Sequence, residues 1–284
     1  MLSISDLMYD NKDEKSNSST GGNCEKGGSP FHEEQSLSEP ITKEMVKKER
    51  YHLIDALRGL AILLMMAHHF VYALLYAGID IAFGLDVRAI ERSPLILGFL
   101  SPFFAGVFIL LSGMSSRFSR SNVKRGIIVL VFAALLSVVG HFFGAPVWFG
   151  ILHFMGLSML TYGLLSKWLD KIPFYFSLFL WSSLFIFCFI TLPRQADNNI
   201  FYWLGFFNRT SISSVDYFPF GRWFFLFLFG TRIGQLAKDH KFPKWFYRFN
   251  MPILPIIGKH TLIIYLAHQP FFFLILTAYN FIRG

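Results

Sequence analysis

Cysteine is almost absent: Cys24 and Cys188 are the only two in 284 residues. That excludes a disulfide framework and a cysteine-rich zinc site. Cys24 lies in a polar stretch, and Cys188, in "LFIFCFI", reads as a small core residue. Charge is scarce too, at 15% of residues against about 25% in ordinary soluble domains. No apolar run precedes Leu53, so no cleaved signal peptide is expected, and the run that starts there is too long to be the apolar part of one. No internal repeat is visible. Nor is there a basic stripe interleaved with exposed aromatics, so the net charge of +8 does not imply nucleic-acid binding.

What the chain has in excess is oil. Hydrophobic residues make up 54% of it, 35 of them Phe, and several runs approach the roughly 20 apolar residues needed to cross a bilayer. The expected fold is an all-α polytopic transmembrane bundle, with a disordered cytoplasmic tail over 1–50 and the membrane domain over 51–284. Seven spans are expected, near 53–76, 95–116, 125–143, 147–166, 173–192, 222–237 and 260–281. The segment "NNIFYWLGFFN" (198–208) reads as a partly inserted stretch between the fifth and sixth. Residues 1–50 hold seven Lys/Arg and ten Asp/Glu, which leaves the membrane part 19 basic residues against 8 acidic. Thirteen of those bases fall on one side of the seven-span arrangement and six on the other, which puts the amino terminus inside and the carboxyl terminus outside.

The first span, "IDALRGLAILLMMAHHF", begins with a charged pair and ends in two histidines. Arg58 and His69 are eleven positions apart, so a helix returns them to one face within about 20° and separates them by roughly 16 Å. Asp55, three residues before Arg58, is placed to pair with it. His68 points to another face, toward a neighbouring helix. Ionisable groups inside a span are functional candidates by default. His69 also has company at its level: His153 in "WFGILHFMG", His141 in "VGHFFG" and Asp216 in "SSVDYFPFGRW". Adjacent histidines point apart on a helix and no carboxylate stands at helical spacing beside them, so no metal site is expected.

On the opposite side, "SGMSSRFSRSNVKRG" gathers Arg117, Arg120, Lys124 and Arg125. They are either positive-inside charge or a seat for a polyanion such as a nucleotide phosphate, since guanidinium forks suit phosphate oxygens. The glycine and serines of "SGMSS" suit close helix packing.

Five stretches, "IDALRGLAILLMMAHHF", "FFAGVFILLSGMSSR", "FGILHFMGLSML", "DYFPFGRWFFLFLFGTRIG" and "GKHTLIIYLAHQP", together resemble bacterial members of the heparan-α-glucosaminide N-acetyltransferase catalytic-domain family. The resemblance runs in order over about residues 50–270. More distantly, Arg58 with His69, and Arg117 with Arg120, resemble the arginine–histidine and paired-arginine motifs of the type-3 membrane acyltransferases. The resemblance implies an enzyme of a bacterial inner membrane. It would move an acetyl group from cytosolic acetyl-CoA to an acceptor, a sugar in many members, on the far side. On that carry-over Arg117 and Arg120 hold CoA phosphates with Lys124 and Arg125 nearby, and Arg58 with Asp55 shapes the tunnel for the pantetheine arm. His69 is the general base, and His153 and Asp216 line the acceptor side or orient His69. Eukaryotic members carry the implicated histidine in the loop after the first helix. The corresponding loop here, Ala77 to Pro94, has none, so either His69 does the work, as in the type-3 enzymes, or the chain has a different activity. His268, before Pro270, reads as packing. The rival reading is a proton-coupled small-solute transporter with His69, His153 and Asp216 as a relay. The acceptor's identity and a homodimeric state stay open.

Overall fold

A backbone in hydrocarbon has to satisfy its own polar groups, and helices do so within one segment. The computed structural model describes residues 52–283 other than 80, 83–84, 94–98, 143–145, 197, 209–213, 215 and 250, so the expected tail over 1–50 lies outside the described residues. Long helices occupy all seven stretches expected to be spans. They are α1 (His52–Tyr76), α3 (Ser101–Ser116), α4 (Asn122–Phe142), α5 (Ile151–Leu169), α6 (Phe174–Thr191), α7 (Phe220–Lys238) and α10 (Thr261–Arg283). Short helices α2 (Val87–Arg92), α8 (Lys244–Arg248) and α9 (Leu254–Lys259) lie between them. Proline marks several starts: Pro173 and Pro219 immediately precede α6 and α7, and Pro102 stands in the first turn of α3. Its fixed φ suits that position and its missing N–H costs nothing there.

Among the described residues four helices, α1, α4, α6 and α10, are long and apolar enough to cross a membrane; α3 is apolar but only 16 residues long. Their outer faces are what lipid would require. On α6, Phe176, Phe179, Ile186, Phe187 and Ile190 are exposed, and on α4 so are Val131, Leu135 and Val138. The inner faces meet in a core around Ile62, Ile109, Phe154, Trp223 and Phe227.

Lipid tails are as apolar as leucine, so helices in a membrane gain by bringing backbones close. Glycine makes that possible at two contacts. A Cβ on Gly113 of α3 would land on the carbonyl of Phe227 in α7, and one on Gly230 would land on the carbonyl of Leu110. The close packing read from "SGMSS" is therefore against α7. Gly258 of α9 meets the carbonyl of Asp55 in the same way and ties α9 to the first turns of α1.

The connections hold more structure than the sequence suggested. The loop after α1 folds as an antiparallel pair, β1 (Ile81–Ala82) with β2 (Leu85–Asp86), leading into α2. The stretch 198–208, expected to be partly inserted, has a compact fold of its own. It is a 3-10 turn at Tyr202–Leu204 beside a short parallel pair, β3 (Arg194–Gln195) with β4 (Phe206–Phe207). The Tyr217 hydroxyl donates to the Tyr202 carbonyl at 2.8 Å, fastening this cap to the chain entering α7.

Candidate active site

Two polar regions stand out in an otherwise apolar bundle. The first is a cleft of about 370 Å³ where α3 ends and α4 begins, lined by Ser116, Arg117, Arg120, Asn122, Tyr162 and Lys238 among others. Ser121 caps α4, its hydroxyl accepting from the Lys124 N–H at 3.3 Å. The unpaired N–H groups of that first turn favour an anion. Arg117 reaches across to α5 and donates to the Tyr162 hydroxyl at 2.6 Å and to both Asp170 oxygens at 2.7 and 2.8 Å. Arg232 of α7, only 3% exposed, stands 3.6 Å from the same carboxylate and donates to the carbonyls of Leu169 and Ile172.

The four expected cations therefore separate. Arg117 and Arg120 line the cleft, joined by Lys238 from α7. Lys124 is exposed on α4 and is not among the lining residues. Arg125 turns toward α1, close enough for its charge to be felt by Arg58 and Asp55. Arg58 donates to Thr261 Oγ1 of α10 at 3.0 Å, and its Nη1 lies 3.9 Å from Asp55, a long ion pair at the expected three-residue spacing.

The second region lies farther along α1. His69 Nδ1 is 2.9 Å from His268 Nε2, and the two rings are nearly parallel. His268, 2% exposed, places its other ring nitrogen 2.5 Å from the Tyr265 carbonyl. Read from the sequence as packing, it is the nearest polar neighbour of His69. Tyr265, one turn earlier on α10, donates its hydroxyl to Asp216 Oδ2 at 3.0 Å, and the same oxygen accepts the Ile151 N–H at 2.9 Å. Asp216 thus anchors the start of α5, and Gly150 gives it room, because a Cβ there would meet that carboxylate. Burial pushes the Asp216 carboxyl above its ordinary value, against the two hydrogen bonds that favour the anion.

His153 is held locally. Its Nδ1 accepts the Gly150 N–H at 3.3 Å, and its Nε2 stands 3.2 Å from the Ser137 hydroxyl, which donates to the Val147 carbonyl at 2.5 Å. A neutral ring with Nδ1 accepting carries its hydrogen on Nε2, so both nitrogens serve the α4–α5 turn. His141 is exposed at the end of α4. The structure therefore brings His69 together with His268, and Asp216 with Tyr265. Among the described residues no hydrogen bond joins His153 or Asp216 to His69. Among the described residues no three His, Cys, Asp or Glu side chains are grouped to hold a metal ion.

His268, Tyr265, Asp170 and Lys238 were not singled out as site residues in the sequence. Their signal was there only for His268, an ionisable group inside an apolar helix. No curated protein and no solved structure is significantly similar to the chain. The family model described as heparan-alpha-glucosaminide N-acetyltransferase, catalytic, matches residues 50–270. That stretch contains both polar regions and every long helix up to Pro270 of α10, and on it this integral membrane protein belongs to the heparan-α-glucosaminide N-acetyltransferase catalytic-domain family.

Proposed function

We propose that the protein carries an acetyl group from cytosolic acetyl-CoA to a hydroxyl or amine, on a sugar-like acceptor, at the opposite membrane face. The phosphate end of the donor sits in the cleft of Arg117, Arg120 and Lys238, at the start of α4, and the pantetheine arm runs past Arg58. His69 is the general base. As the acceptor oxygen or nitrogen attacks the thioester carbonyl, His69 takes its proton and the carbon–sulfur bond breaks. The CoA thiolate leaves and is protonated to the free thiol, so the proton lost by the acceptor is balanced by the one gained at sulfur.

The observation that carries this reading is the double meeting of α1 with α10. Arg58 bonds Thr261 and, three turns on, His69 bonds His268, so the two helices run in the same direction and carry a polar contact at each end of their shared seam. A first and a seventh span would share a direction, so this pairing is compatible with seven crossings, and the excess of basic residues on one side supports an amino terminus in the cytosol. General-base catalysis contributes typically 100- to 10,000-fold, so the loss of His69 is readable.

The test is release of free CoA from acetyl-CoA by the purified protein, in wild type, His69→Ala and Arg117→Ala/Arg120→Ala. The reading requires wild-type turnover that His69→Ala abolishes, and a raised apparent KM in the arginine variant. Absence of both turnover and acetyl-CoA binding in the wild type overturns it.

A further inference from the structure

His268 is a buried ionisable group that the acyl-transfer chemistry leaves without a task. Both its ring nitrogens are engaged, Nδ1 with the Tyr265 carbonyl at 2.5 Å and Nε2 with His69 Nδ1 at 2.9 Å. A carbonyl oxygen can only accept, so the hydrogen is on His268 Nδ1. An unpaired charge in hydrocarbon is expensive, and neither ring forms an ion pair with a carboxylate among the described residues. A neutral His268 then has its lone pair on Nε2, and the hydrogen between the rings belongs to His69 Nδ1. The lone pair of His69 is left on Nε2, pointing away from α10.

We propose that His268 is a positioning residue that fixes His69 in the Nδ1–H tautomer and presents His69 Nε2 to the acceptor. It rests on the reading of His69 as the base. The ordering role is the one a buried carboxylate performs for the histidine of a catalytic triad. Here a second imidazole performs it, itself oriented by a backbone carbonyl three residues earlier on the same helix. The arrangement orders the base without bringing a charge into the apolar interior, where a carboxylate would be costly.

The test uses the full chain in bilayers, labelled with 15N-histidine, with His69→Gln to assign the His69 signals. Wild type is expected to show His69 with Nδ1 protonated and Nε2 bare, and His268→Leu to show a mixture of both tautomers. A wild-type His69 protonated on Nε2 overturns the proposal whatever the activity. In the CoA-release assay His268→Leu is expected to lower kcat roughly 100-fold with the KM for acetyl-CoA unchanged. His268→Gln, whose amide can donate to the Tyr265 carbonyl and accept from His69, is expected to recover most of that loss. An unaltered kcat in His268→Leu also overturns it. An inactive wild type would count against the base assignment, and the tautomer spectrum would still decide the positioning role.

Discussion

Asp170 grips Arg117 across the cleft, both carboxylate oxygens accepting from one guanidinium nitrogen at 2.7 and 2.8 Å. The carboxylate therefore occupies part of the surface that a phosphate would claim, and it lowers the positive potential around Arg120 and Lys238. Asp170→Asn is expected to tighten acetyl-CoA binding several-fold, and Arg117→Ala to weaken it by about tenfold or more, roughly 1.4 kcal/mol. Titration calorimetry on the two variants decides this. Weaker binding in Asp170→Asn would mean that the phosphates do not sit at Arg117.

Asp216 gives a prediction in pH. Burial favours its protonated form, so the folded chain holds that proton to a higher pH than the unfolded chain does. The contribution is fully present below the unfolded value, near 3.8, and stability falls as pH rises from there through the higher folded value. Asp216→Asn removes this dependence and can still accept from Ile151 and Tyr265 through its amide oxygen. Its thermal midpoint at neutral pH should equal or exceed that of wild type, with a flatter profile toward acid. Asp216→Ala strands both donors and should cost about 1–3 kcal/mol for each. A thermal midpoint for Asp216→Asn that tracks the alanine variant would contradict this account.

Two glycines of α3 separate packing from propensity. A Cβ on Gly106 would make only ordinary contacts, 3.4 Å to Leu226 and 3.5 Å to Trp223. Gly106→Ala should therefore be neutral or stabilising, by up to about 1 kcal/mol. Gly113→Ala, which drives a methyl into the backbone of α7 at Phe227, should cost about 1–3 kcal/mol. Thermal unfolding in detergent should fall for Gly113→Ala and hold or rise for Gly106→Ala, and equal shifts would mean that α3 and α7 are not packed this closely.

Much of this was legible in the sequence because it is local. The apolar runs mark all seven long helices, and the eleven-residue step from Arg58 to His69 puts both groups on one side of α1. The partners of those residues were not legible. His268 is 199 positions from His69 and Asp170 is 53 from Arg117, and helical periodicity carries no information about which distant face a side chain meets. Arg125 shows the same limit. Beside Lys124 in the chain it reads as part of one basic patch, yet the 100° turn between neighbours on a helix sends the two charges to different places. The local fold of 198–208 was not legible either, because the Tyr217 hydroxyl and the parallel strand pair that hold it come from outside the stretch or from its far end.

One turn of α10 carries two attachments, the Tyr265 hydroxyl to Asp216 and the His268 ring to His69. Three residues on a helix advance only about 4.5 Å, so this turn works as a common pivot. The carboxylate that pins the start of α5 and the imidazole on α1 are fastened to the same rigid piece of backbone. A tilt of α10 sufficient to loosen one of these contacts would strain the other.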